Sequence, residues 1–169
     1  MRKATGSVHV FTFKEGVLSA AAHDLRLSAQ KFDVALDGDR VRAEFDLKAL
    51  VVEGPMENGV LNAAHYDASK RAEVEKAMHG SVLHTEKHPK AVFAGTATES
   101  PNGFEVNGEL ELVGRRAPLS FSVRKDGTMF RSAFEFNPSK WGIAQYKALL
   151  GAIRLKDVVR IEFSLTEES

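Results

Sequence analysis

This sequence has no cysteine, so neither a disulfide framework nor a thiolate metal site can organise it. Charge of one sign is missing too: 23 basic and 23 acidic residues cancel, which removes the simplest electrostatic case for nucleic acid as a partner. No stretch approaches the roughly 20 consecutive apolar residues of a helical membrane span, so no integral membrane segment is expected. The start, MRKATGSVHV, is basic but lacks an apolar run of signal-peptide length. As it stands the chain is expected to be cytoplasmic, or periplasmic if an export signal has been removed. Nucleophile elbows, phosphate-cradling glycine loops and internal repeats are absent. The length suits one domain over residues 1–169.

What is present is period two. Phe104, Val106, Leu110 and Leu112 alternate with Glu105, Asn107, Glu109 and Glu111, and Leu119, Phe121 and Val123 resume the pattern beyond Gly114-Arg115-Arg116. Two such runs around a short turn predict an antiparallel hairpin with one buried face. Gly108, inside the first run, predicts a bulge, a bend or a close backbone approach. Further strands are expected at Ser7–Phe13 and, after a turn at Glu15-Gly16, at Val17–Ala22. Leu25, Leu27 and Ala29 fall on odd positions, then Phe32, Val34 and Leu36 on even ones, so a bulge or a new strand begins near Gln30-Lys31. Asp37-Gly38-Asp39 predicts a hairpin turn into Val41–Leu47, and the strand signal then fades to a break at Glu53-Gly54-Pro55. Ala91–Thr98, Met129–Phe136 and Asp157–Thr166 complete the set.

One region reads as helix. Asp67–His79 is rich in Ala, Glu, Lys and Met, with Asp67 or Ser69 as N-cap and Gly80 as the natural stop. The expected fold is therefore all-β: about eight antiparallel strands in a barrel or sandwich, with one helix inserted at about residues 67–79. Closing the sheet into a barrel removes exposed strand edges.

The order of these pieces is similar to that of the YceI-like family of bacterial polyisoprenoid-binding proteins. The resemblance is carried by AAAHDLRL near the start, VLHTEKHPKAVFAG after the helix, the hairpin NGELELVGRRAPLSFSV, and the closing FNPSKWGIAQYKALLGAIRLKDVVRIEFSL. It implies an extended, eight-stranded, lipocalin-like barrel with an elongated cavity for an isoprenoid chain. Two departures stand out: many members carry an export leader, and Asn137-Pro138 stands where an Asp/Asn-Arg pair is often found.

Six side chains are expected to face inward by parity: Phe45, Leu110, Leu112, Phe121, Phe134 and Phe136. A barrel of this size is either filled by such side chains or holds one small ligand. The family resemblance favours the ligand, so these six are candidate ligand-binding residues. Trp141 joins them as part of a lid with Tyr146, or as a plug of plain core. His23 joins them as a grip on a polar head group. Its neighbour Asp24 could orient it, or could instead satisfy backbone N–H groups in a turn. Arg115-Arg116 reads as a clamp for a diphosphate or as solvated charge.

His84 and His88 have helical metal-ligand spacing, but Pro89 argues for a turn there, so no metal is expected. No other cofactor and no catalytic residue is expected. The leading expectation is a non-catalytic carrier of a long-chain isoprenoid or similar lipid, such as a quinone or a prenyl diphosphate. The alternatives are a small enzyme using His23 and Asp24, and a solid barrel whose helix docks a partner. Oligomeric state is left open, with a homodimer among the options.

Overall fold

The protein is described over residues 1–18 and 22–169 from a computed structural model. Among the described residues twelve strands form one continuous antiparallel sheet. They are β1 (Arg2–Glu15), β2 (Asp24–Ala29), β3 (Phe32–Asp37), β4 (Arg40–Asp46), β5 (Leu50–Glu57) and β6 (Val60–Leu61). After helix α1 (Ala68–Ala77) come β7 (Lys90–Ser100), β8 (Gly103–Leu112), β9 (Arg115–Asp126) and β10 (Met129–Phe136). The last two are β11 (Lys147–Ala148) and β12 (Ile153–Glu167). Pairing of β12 with β1 closes the ring β1-β3-β4-β7-β8-β9-β10-β12, an eight-stranded barrel.

The barrel is extended because two of its strands are longer than their labels. The parity flip at Gln30-Lys31 is a corner in one chain that continues from β2 into β3, and residues 47–49 turn the same corner between β5 and β4. Across it, Gln30 N–H donates to Ala49 O and Asp46 N–H to Lys31 O, so the bend leaves these backbone groups satisfied. β1 follows the corner: Arg2–Ala4 pair with β3, and His9–Thr12 pair with β2.

Above the corner the ring has no eighth strand. The β4–β7 ladder ends at Asp46↔Lys90, which leaves one edge of β5 without a strand from Leu50 to Pro55, before β6 pairs with Met56 and Glu57. Helix α1 takes that place, and its Glu75 carboxylate accepts from the Val52 N–H at 2.9 Å. Asp67 caps the helix, accepting from Lys70 N–H at 2.8 Å. The expected stop at Gly80 does not occur. A wide turn of π type runs on from Met78 to Val82, burying Met78 on Leu25, Leu27, Leu50 and Val52. Beyond Gly80, Val82 and Leu83 pack against the buried core, and this outweighs the C-cap preference of glycine here.

Other expectations shift in register rather than in kind. β1 starts at Arg2, five residues earlier than its pattern, and β12 at Ile153. Val17 and Leu18 form a turn rather than a strand, and the rest of that expected strand includes 19–21, which lie outside the described residues. Glu53-Gly54-Pro55 is not a break: β5 runs through it, with Glu53 as the extra residue of a bulge between Arg26↔Gly54 and Leu27↔Val52. Gly54 supplies the positive φ of 151° that the bulge requires. Arg115 and Arg116 are not the hairpin tip. The turn is Val113-Gly114, both at positive φ, and the arginines open β9, with Arg116 paired to Glu111.

Gly108 is a close approach, as its position suggested. It faces Gly95 across β7–β8, and the Phe93 ring lies over both. A Cβ at Gly108 would stand 2.3 Å from Ala94 O and 2.7 Å from the Phe93 ring. Gly108→Ala is therefore expected to cost roughly 1–3 kcal/mol by overpacking. A urea midpoint equal to that of the parent chain would show that the sheet accommodates the methyl freely.

Candidate functional site

The inner face of the barrel is not filled. A cavity of about 1020 Å³ runs through it, at the upper end of the range for small-molecule sites. Its wall on β12 extends from Ile153 to Glu167. That is about 45 Å of extended chain, or roughly 35 Å along the axis once strand tilt is allowed for. One end is lined by the Arg2–Glu167 ion pair at 2.8 Å and by Phe104 and Phe130, whose rings lie 6.1 Å apart. The other end opens between α1, the Ala22-His23 corner and the chain from Ile143 to Asp157.

Phe45, Leu110, Leu112, Phe121, Phe134 and Phe136 all line this cavity, because their even or odd parity on β4, β8, β9 and β10 turns them inward. Phe134 stacks on Phe121 with ring centroids 4.5 Å apart, and Phe93 packs against Phe121 at 5.5 Å. The rings brace one another along the wall. β9 and β10 pair only over Met129–Arg131, after which the Ser132 hydroxyl donates to Ser122 O and the strands part.

Trp141 does not line the cavity. It is 1% exposed on the turn Pro138–Trp141, which packs beside β9; its indole N–H donates to Leu110 O at 2.7 Å, and its ring meets Phe136 edge-on at 5.0 Å. A buried indole must find an acceptor, and the one it finds holds it behind the wall. The plug-or-lid alternative separates by residue: Trp141 is core, while Tyr146 lines the open end.

His23 does line the open end, but without Asp24 as its orienting partner. The Asp24 carboxylate accepts from Lys14 N–H at 2.8 Å, beside the β1 irregularity at Phe13. His23 instead faces His65 and Tyr66, with ring centroids 5.5 and 5.8 Å away. Behind them the Glu57 carboxylate accepts from Asn62 Nδ2 at 2.9 Å and meets His65 Nδ1 at 2.6 Å. The Asn62 amide foremost, then the His65 and His23 rings, hold the Glu57 carboxyl below the usual range. Burial pushes the Tyr66 phenol up, with Glu73 adding to the effect, so it stays a neutral O–H donor.

His65 and Tyr66 were not singled out from sequence, because the N-terminal flank of α1 carries no pattern, whereas Val74 and Met78 belong to the modest apolar stripe that the helix shows with Ala72 and Ala77. The one available signal was His-Tyr directly before the Asp67 cap. His84 and His88 lie on a turn in which His88 N–H donates to His84 O. Among the described residues no three His, Asp or Glu side chains are gathered as metal ligands.

One polar atom on the wall stands apart. Thr12 Oγ1 is buried in the upper cavity with no hydrogen-bond partner, the one such side-chain atom among the described residues. Thr12→Val removes that orphan, and by the cost of an unpaired buried hydroxyl should stabilise the free protein by about 1 kcal/mol in urea unfolding. A loss of stability instead would show that the hydroxyl is already satisfied in solution.

A hollow antiparallel barrel with an apolar wall and one open end is the architecture of a lipocalin-type barrel. This chain belongs to the YceI-like family, whose domain matches residues 3–166. Among solved structures it resembles BcnA of Burkholderia cenocepacia, at 14% identity and a TM-score of 0.66 over 97% of this chain and 96% of that one. It is similar also to a polyisoprenoid binding domain from Saccharophagus degradans implicated in plant cell wall breakdown (10% identity, TM-score 0.65, 99% and 98% covered). A third likeness is to the YceI protein of Campylobacter jejuni (10% identity, TM-score 0.57, 85% and 84% covered). At such identities the likeness shows the shared fold. No curated protein sequence matches the chain.

Proposed function

We propose that the protein is a non-catalytic binder of a long apolar lipid, with a polyisoprenoid tail lying along the barrel axis. The observation that carries this reading is the elongated cavity, whose wall is apolar along nearly its whole length. Each 100 Å² of tail removed from water contributes about 2.5 kcal/mol, so several isoprene units bind firmly without any directed contact. The polyisoprenoid-binding neighbour on the same fold supports the class of ligand. The alternative enzyme loses its motivation, since His23 and Asp24 point to different partners. Native mass spectrometry of the purified chain tests the reading. A co-purifying lipid, or uptake of added polyprenyl lipid, is expected; neither appearing would exclude a carrier.

Tail length gives a sharper test. Phe134→Trp puts an indole into the cavity beside Phe121, at a stability cost of roughly 1–3 kcal/mol from overpacking. Long-tailed ligands should weaken more than short-tailed ones in a displacement titration. Equal weakening of both would mean that the tail does not pass Phe134.

A further inference from the structure

The large apolar side chains that stand out in solvent, Met1 apart, gather at the open end of the barrel. Val17 is 89% exposed and Leu150 109%, with Leu18 and Tyr146 also exposed beside them. The two segments that carry them are tied together, since Leu18 N–H donates to Ala152 O at 3.0 Å. Val60, at 67% exposure, sits on the neighbouring β5–β6 turn, two strands over at the same end. Leu150 also holds a φ of 55°, a left-handed conformation unfavourable for a leucine. Among the described residues that side chain gains no burial from the placement.

The charge around this rim is mixed. Lys14, Lys147 and Lys156 have no carboxylate partner among the described residues, although Lys14 Nζ donates to Ala22 O at 3.2 Å. Glu15 is taken by Arg154 at 2.9 Å, while Asp24 and Asp157 accept from neutral donors, among them the Lys14 and Ser139 N–H groups. Exposed aliphatic side chains beside lysines that lack a carboxylate partner match the interface of a bilayer that carries anionic lipid. The patch is also continuous with the cavity, because Tyr146, Ala148 and Ile153 line the opening. Whatever covers the rim must therefore let an apolar tail pass, which a bilayer interior does and a packed protein interface does not.

We propose that this rim is a bilayer-docking surface: Val17, Leu18 and Leu150 enter the head-group region, the lysines face anionic phosphates, and the tail moves between membrane and barrel without crossing water. This inference rests on the lipid-binding reading above. It is tested with the full chain in flotation against vesicles of phosphatidylcholine mixed with phosphatidylglycerol, and against phosphatidylcholine alone. Transfer of a fluorescent polyprenyl lipid is then followed from vesicles and, separately, from detergent micelles.

The parent chain should float with the anionic vesicles, less so at high salt. Val17→Ser combined with Leu150→Gly should lower vesicle binding and vesicle transfer roughly tenfold or more. Thermal stability should not fall, because glycine relieves the positive φ at residue 150. Uptake from micelles should match the parent, since neither side chain lines the cavity. The proposal is overturned if the parent does not float, if the variant floats or transfers from vesicles as well as the parent, or if the rim instead supports a concentration-dependent dimer. Should no form take up lipid from micelles, the lipid-binding reading fails by itself, and flotation of empty vesicles still decides the rim.

Discussion

The fold hangs on β1, which must satisfy three partners at once. One edge pairs with β12 from Ala4 to Glu15, and this ladder closes the ring. The other edge changes partner along its length, from β3 to β2. That change requires the corner at Gln30-Lys31, since a straight hairpin would continue along a single line of register. Closure fixes the radius through strand number and stagger, so the walls cannot collapse onto each other however apolar they are. The hollow interior is thus a property of the backbone ladder, and the aromatic rings adapt to it by packing along the wall.

The same corner creates the need for the helix. Once β4 and β5 bend away, β7 can follow only to Lys90, and between Leu50 and Pro55 one edge of β5 faces no strand, since β6 pairs only with Met56 and Glu57. A bare edge there would open the barrel side and leave a row of backbone donors unpaired. Helix α1 covers it with one hydrogen bond from Val52 to Glu75 and with apolar contact through Val74 and Met78. The helix needs only a narrow apolar face for this, because it is one wall of a cavity and not a core element packed on all sides. It also makes one side of the open end out of a different kind of element from the rest of the ring.

The ring was legible in the sequence because alternation is a strong signal wherever one strand face is buried. On β8 and β12 the pattern fixes both the strand and the direction in which Leu110, Leu112 and Phe163 point. Bulges and flanks were not legible. Gly54-Pro55 looks like a break because glycine and proline usually end strands, yet here glycine supplies a positive φ within β5 while Pro55 is buried in full. Gly80 looks like a helix stop, but the packing of Val82 and Leu83 against the core carries the turn past it. At the site, the six inward aromatic and leucine positions follow from parity alone. Trp141 does not, since its place depends on an acceptor 31 residues away on β8. The His23–His65–Tyr66 grouping depends on where a corner and a helix flank meet in space, and no local spacing encodes that.

Energetics then limit how such an interior can exist. A dry void of about 1020 Å³ would cost on the order of 20 kcal/mol at the rate measured for engineered cavities, above the 5–15 kcal/mol that holds a typical domain together. The folded barrel must therefore be wetted through its open end or occupied by something apolar. Water gains little along this wall, where Thr12 is a rare polar group well above the Arg2–Glu167 end. An apolar tail displaces that water and restores the dispersion contacts the cavity lacks, so occupancy and stability are linked. Two carboxylates at the opening, by contrast, are committed to neighbours: Glu57 to Asn62 and His65, Glu15 to Arg154. In the proposed carrier, recognition then resides in the length and cross-section of the tail, and the opening discriminates chiefly by what it admits.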